Sequence, residues 1–360
     1  MLIIIVFLLI VNLLYSEQSI SINNVKVLGM GGVSLGISGD ENPIFYNASG
    51  LAKVKKPVLI APYISFETDT KTFDLLSYVL SHQNELSNGF SGITNQTVDK
   101  LTNADVKLGM HLGFGCVQRN FGLGFFVPLN VFAQGSSGIF IPRADVYATG
   151  DMLLISSFGY PFSTSIGEID AGLSLKLIYR TKVDEKRTVL EWSALSTNPI
   201  KFQSYWGVGF DVSGMYELSK DLRLSLVIQD IFTRIGSSTL PLNVKLGLAY
   251  FSDIKLENLF KDIRFYFDIV DLFNPDDAKY LSSFGNTTAI FLKKTHIGIE
   301  SKLIDFVNLR IGLNQGYPTF GIGLKIEMFN IEYAFYGKEE GVFPGDIPSW
   351  NHILTFVFRY

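Results

Sequence analysis

The chain has 360 residues, a formal net charge of −4 and 18% charged residues with no basic stripe, which argues against a nucleic-acid partner. A single cysteine, Cys116, excludes an intramolecular disulfide framework and any multi-cysteine metal site. Aromatic residues reach 14%, with 33 glycines beside them. Past the first residues no apolar run is long enough for a spanning helix, so the apolar content, spread in short pieces, suits strands.

In chain order, the amino terminus "MLIIIVFLLIVNLLYSEQ" carries an apolar stretch too short for a membrane span. It reads as a secretory signal peptide over residues 1–16, with cleavage after Ser16. The alternative is an uncleaved anchor, since no Lys or Arg precedes the apolar run and Leu14 sits poorly before the cut. No cysteine lies near the cut, so a lipoprotein is not indicated. Residues 17–56 follow as a stretch rich in Gly, Ser and Asn.

From residue 57 to 360 a period of two recurs. Val106, Leu108, Met110, Leu112, Phe114 and Cys116 alternate with Lys107, Gly109, His111, Gly113 and Gly115. Phe121, Leu123, Phe125, Val127 and Leu129 alternate with Gly122, Gly124, Phe126 and Pro128. One face is apolar; the other holds Gly and charges of both signs. Many segments have the length a tilted strand needs to cross a bilayer. About fourteen of them fall near 57–67, 104–117, 120–133, 144–159, 168–181, 203–217, 221–234, 240–251, 262–272, 294–304, 306–314, 319–328, 329–337 and 350–360. The reading is all-β: a membrane-spanning antiparallel barrel, which leaves no unpaired edge in lipid.

The connections agree. With the first strand leaving the periplasm, the odd gaps are mostly long and the even ones mostly tight, such as Arg119 with its neighbour, or the pair at 329–330. The gaps at 252–261 and 235–239 fit less well. The first long gap holds the best helix, within an outer-loop insertion at 70–102. Phe73, Leu76, Val79, Leu80, Gln83 and Leu86 share its face, with Thr72 as the expected cap. Such a helix either gathers amphiphilic ligands or lids the barrel. A second short helix is expected after Thr94. The acidic stretches near 274–279 and 338–341 read as solvated loop tips.

A polar, Gly-rich leading segment cannot face lipid. The economical place for residues 17–56 is the lumen, as a plug, with the inward glycines at 113, 115, 122 and 124 making room; a periplasmic arm is the alternative. The inward face also carries Lys107, Lys176, Arg180, Asp211, Arg223, Lys245, Asp268, Glu300, Arg310 and Glu332. Mixed signs there suggest pairing that braces the wall and plug. Phe126, Phe132 and Val270 break the polar pattern and could line an apolar pocket. Gly32-Val33-Ser34-Leu35-Gly36 matches the G-x-S-x-G nucleophile elbow, but that motif works only on a strand-to-helix turn with His and Asp alongside. No enzyme is read from it, and no cofactor or metal site is expected.

The segment "GMGG" followed by "DENPIFYNASGLA" resembles the amino-terminal hatch of the FadL-type long-chain fatty-acid transporter superfamily, which includes PorV-like barrels. Gly29, Gly31, Gly32, Asp40, Asn47, Ala48, Gly50 and Leu51 carry the match; Ser49 is an added residue, and the Pro usual after Asn47 is missing. The resemblance implies a fourteen-stranded, plugged, monomeric barrel in the outer membrane of a diderm bacterium. It also implies diffusion or uptake of hydrophobic small molecules such as long-chain fatty acids. On that reading Asn42, Pro43 and Asn47 are plug pivots, Phe73, Leu76 and Val79 capture cargo, and Phe126 and Phe132 line its path. The chain ends in alternating apolar positions with aromatic residues, Phe356, Phe358 and Tyr360, and resembles the signal read by the barrel-insertion machinery. The other reading is a PorV-like, non-transporting barrel in protein export or surface attachment, or a structural outer-membrane protein.

Overall fold

The computed structural model describes residues 22–83, 100, 104–136, 141–165, 167–252, 260–274, 277 and 284–360. The expected signal peptide, Leu86 and the helix expected after Thr94 lie outside the described residues.

Fourteen strands form one closed antiparallel wall. They are β1 (Val58–Asp69), β2 (Asp105–Gln118), β3 (Phe121–Ser136), β4 (Arg143–Thr164), β5 (Gly167–Thr188), β6 (Gln203–Glu217) and β7 (Leu222–Ile235), then β8 (Asn243–Ser252), β9 (Lys261–Ile269), β10 (Thr295–Ile304), β11 (Val307–Asn314), β12 (Tyr317–Ile326), β13 (Phe329–Glu339) and β14 (Pro348–Arg359). Each pairs with its sequence neighbours, and β14 closes on β1 from Ile60↔Arg359 to Asp69↔Asn351. A two-residue ladder, Ser238–Thr239, folds back on the end of β7. Closure satisfies every strand edge, the condition for a sheet in hydrocarbon.

The alternation sets which side meets what. In β5, Gly172, Ser174, Lys176, Ile178 and Arg180 are buried in the lumen, whereas Leu173 and Leu177 are exposed outside. Exposed Leu, Phe, Ile and Val recur on that outer face around the whole wall. A soluble sheet would bury this face against a second sheet; here hydrocarbon is the partner. No described helix is long and apolar enough to cross a membrane.

One rim, the turn end, has tight connections at Arg119–Asn120, Asp305–Phe306 and Glu327–Met328. The last of these replaces the turn expected at 329–330, because Phe329 and Asn330 already pair with β12. The loop end carries the helices Thr70–Ser81, Val189–Ser193 and Phe284–Lys294. Gln315–Gly316 is a tight turn at that end, with positive φ of 56° and 89°, the combination a two-residue hairpin favours. β4 and β5 are longer than expected, at 22 residues each: β4 runs past β3 at the turn end, and β5 runs past β6 at the loop end.

Residues 22–54 run inside the barrel, with short helices at Val25–Gly29 and Pro43–Tyr46 and a 3₁₀ turn at Ala48–Lys53. The hydrophobic core is the interface between this plug and the inward wall. Its largest cluster joins Ile44, Leu51 and Val54 of the plug to Ile60, Val117, Phe126, Leu153, Ile155 and Ile178 of the wall.

Candidate functional site

The lumen and its plug form the candidate site. On the β1–β5 side the plug is seated by shape. Ile44 and Leu51 pack over Gly122 and Gly124, and a β-carbon on Gly159 or Gly172 would collide with the plug backbone at Ala48 and Ser49. Phe126 stacks edge-on against Phe45 at 4.8 Å and Tyr63 at 6.0 Å. Polar bonds cross here as well: Ser49 N–H donates to Ser213 Oγ (3.0 Å), Ser157 Oγ donates to the Ile44 carbonyl (3.2 Å), and at the turn end Lys53 pairs with Glu168 (2.9 Å) and Asp170 (3.2 Å).

Across the lumen the plug backbone touches wall backbone. Gly298, Gly312 and Gly321 face Met30, Gly31 and Gly29 so closely that no side chain fits. Asp268 then accepts the N–H groups of Ser34 (2.7 Å) and Leu35 (3.0 Å), and His296 Nδ1 meets the Gly31 carbonyl at 2.7 Å. The serine of the G-x-S-x-G match thus lies buried beside an Asp and near a His. Asp268 bonds plug backbone, and His296 bonds the Gly31 carbonyl and the Asn314 side chain; neither bonds the Ser34 hydroxyl. No cluster able to hold a metal occurs among the described residues.

Toward the turn end a chain of charges stitches the plug to β10–β14. Asp40 pairs with Lys26 (2.9 Å), Lys26 with Glu300 (3.5 Å), and Glu300 with Arg310 (3.0 Å). Arg310 continues to Glu332 (3.1 Å), Glu332 to Arg359 (3.1 Å), and Arg359 to Glu41 (2.6 Å). It begins and ends on the plug. Burial works against the Lys26 ammonium, but Asp40 and Glu300 outweigh it and hold its pKa above the ordinary lysine value. Sequence reading identified Glu300, Arg310 and Glu332 as inward charges but not Arg359. Their pairing depends on cross-strand register, which no single segment encodes.

Two cavities lie above the plug. A vestibule of about 610 Å³ opens at the loop end, lined among others by Lys107, Asn130, Phe132, Tyr147 and Glu340. On its wall Arg180 grips Asp151 through two bonds of 2.8 Å. Deeper, a cavity of about 240 Å³ is bounded by Ile22, Phe45, Tyr46, Leu153 and Ile155 on one side and by Lys176, Asp230 and Lys245 on the other. Lys176 is neutralised by Asp211 (2.8 Å) and Asp230 (2.7 Å). None of the ion pairs or hydrogen bonds among the described residues uses the Lys245 ammonium. Asp230 was missed in the sequence because strict alternation puts it outside. A bulge against β6, with φ of 61° at Asp230, turns it into the lumen.

The other sequence candidates are scattered. Asn42, Pro43 and Asn47 are buried around one bend of the plug, where Asn47 Nδ2 donates to the Leu35 carbonyl (2.6 Å) and its Oδ1 accepts from Ser49 Oγ (2.5 Å). Phe126 is wholly buried in the core and lines neither cavity above the plug, whereas Phe132 lines the vestibule. Val270 is half-buried at the loop end of β9. Phe73 and Leu76 are exposed and Val79 is half-buried on the helix Thr70–Ser81. Its cap is Asp69, whose carboxylate accepts from Thr72 N–H (2.9 Å), rather than Thr72. The Thr72 hydroxyl instead accepts from Lys107 N–H (2.8 Å).

No protein-family model matches this chain, and no curated protein sequence does. Solved structures do. The Ralstonia pickettii toluene transporter TbuX superposes with a TM-score of 0.55 at 11% identity, covering 94% of this chain and 97% of that one. The Pseudomonas putida toluene transporter TodX gives 0.52 at 11%, covering 96% and 98%. The CymD monoaromatic hydrocarbon channel gives 0.51 at 9%, covering 93% and 96%. At these identities the likeness establishes the fold alone: the fourteen-stranded barrel of these structures, over nearly the whole chain.

Proposed function

From a fold shared with toluene and monoaromatic-hydrocarbon channels, we propose that this chain is a channel for hydrophobic small molecules in the outer membrane of a diderm bacterium. The turn end faces the periplasm. The cargo has an apolar body and an acidic end, as long-chain fatty acids have. The observation that carries this is the deep cavity, where apolar walls from Ile22, Phe45, Leu153 and Ile155 face an uncommitted ammonium on Lys245. An unsubstituted hydrocarbon would leave that ammonium with no hydrogen-bond acceptor, only the more distant charges of Asp230, Asp211 and Asp268, whereas a carboxylate supplies one.

Cargo is gathered by Phe73, Leu76 and Val79, passes Phe132 in the vestibule, and reaches the cavity against Phe45 of the plug. Passage onward needs the plug to bend at Asn42, Pro43 and Asn47. Phe356, Phe358 and Tyr360 serve barrel insertion. The test is binding of a fatty acid and of the matching fatty alcohol to the purified barrel. Lys245→Met should weaken the acid by roughly tenfold to a hundredfold, the worth of one charge-assisted hydrogen bond, and leave the alcohol unchanged. Equal loss for both, or for neither, contradicts the assignment.

One observation favours the second reading, a PorV-like non-transporting barrel: the plug is tied to both sides of the wall. Retention of exported proteins on the purified barrel, with no lipid bound, would support it.

A further inference from the structure

The helix Thr70–Ser81 is built for a surface other than the lumen. Its root is fixed at the loop end of the wall: Asp69 caps it, and the Thr70 hydroxyl donates to the Trp350 carbonyl (3.2 Å). Phe73 packs edge-on against His352, ring centroids 5.0 Å apart. His352 lies on the outward face of β14, the same face as Leu354, Phe356 and Phe358. It belongs to an aromatic ladder that runs through Phe335 to Trp350, stacked at 5.4 Å, and on to Tyr317. Aromatic ladders at the ends of strands mark the level where a barrel wall leaves hydrocarbon for headgroups.

The helical period places Leu76 and Leu80 on the stripe begun by Phe73. They are 52% and 63% exposed, too much for an element packed as a lid over its own barrel. Thr72, turned toward β2, is the buried position. Asp74 and Ser81 fall on another face, and Lys71 is paired with Asp105 (3.2 Å).

We propose that this helix is a membrane-surface anchor, with its Phe73–Leu76–Leu80 stripe seated among the lipids of the leaflet at the loop end. The occupant follows from continuity: through Phe73 and His352 the stripe extends the wall's own lipid-facing surface. Its charges are balanced, so the seat is hydrophobic and does not select anionic headgroups. The inference needs only a barrel in a bilayer and holds whether or not cargo moves.

Spin labels report it. In a Cys116→Ser background, labels are placed by Leu76→Cys, Leu80→Cys, Asp74→Cys and Ser81→Cys. Each protein is reconstituted in phosphatidylcholine vesicles and checked for the heat-modifiable gel mobility of a folded barrel. Collision with lipid-soluble oxygen should exceed collision with a water-soluble nickel chelate several-fold at 76 and 80, with the order reversed at 74 and 81. Nickel access at 76 and 80 equal to that at 74 and 81 would put the helix in water and overturn the proposal. Screening of 76 and 80 from both reagents would mean that protein covers the stripe, and would overturn it too. A cargo-binding defect in Lys245→Met has no bearing on either outcome.

Discussion

The wall from β1 to β5 and the wall from β8 to β14 hold the same plug in different ways. Against β1–β5, Ile44, Leu51 and Val54 fill a dry surface that bare glycines make concave. Against β8–β14 the plug also packs, with Val27, Met30 and Ile37 on Ala249 and Tyr266 and Val25 on Ala334 and Ile353, but there it is tied as well by named bonds: two N–H groups on Asp268, one carbonyl on His296, and seven charged groups in series from Asp40 to Glu41. Dry packing has no competitor in water. Ion pairs do, and an incomplete buried network is worse than none. The plug half carrying Lys26, Asp40 and Glu41 is therefore the half whose hold depends on every polar partner staying in place. The half from Ile44 to Val54 is held mainly by packing, and Asn42 and Pro43 lie where the two halves meet.

The largest expected effect breaks the charged side. Arg310→Ala breaks the series in the middle, leaving Glu300 to Lys26 and Glu332 to Arg359, and should cost about 3–5 kcal/mol in reversible unfolding from bilayers. Replacing Glu300, Arg310 and Glu332 together by apolar residues of similar volume should recover most of that loss. If the single change alone were harmless, the network would not be holding the plug. Next, Leu51→Ala on the packed side should cost about 2–5 kcal/mol with no dependence on ionic strength. Gly172→Val should cost about 1–3 kcal/mol by overpacking, raising hydrogen exchange in residues 44–54 before residues 26–41; the opposite order would merge the two halves. Smallest, Asp69→Ala should cost about 0.5–2 kcal/mol, confined to the helix Thr70–Ser81 and invisible to the plug on either side.

Much of this was legible in the sequence, for a physical reason. A residue in a barrel strand faces either lipid or lumen, so the period of two survives in each segment, and all fourteen expected segments overlap a wall strand. The plug was legible because a polar, Gly-rich run has no place in lipid. Alternation fails where that constraint ends. The alternation bounds β4 at 159 and β5 at 181 and misses 160–164 at the turn end and 182–188 at the loop end, where polar residues such as Ser163, Lys182 and Glu185 hide the period. Asp230 was lost to a bulge. Phe126 read as a pocket wall because an inward Phe and a plug-packing Phe have the same sequence signature. Lys245 could be placed in the lumen but not distinguished from Lys176; the pairing that silences one and spares the other is a property of the closed wall.

Limited trypsin digestion of the folded, detergent-solubilised protein, with fragment masses read directly, tests the plugged lumen most simply. Lys26 and Lys53 belong to the seated plug, whereas Lys55 and Lys56 stand exposed at the turn end. The account predicts cleavage after Lys55 and an intact bond after Lys26 for as long as the barrel keeps its folded gel mobility. Cleavage after Lys26 at the rate seen after Lys55, with the barrel still folded, would place the leading segment outside the lumen and contradict it.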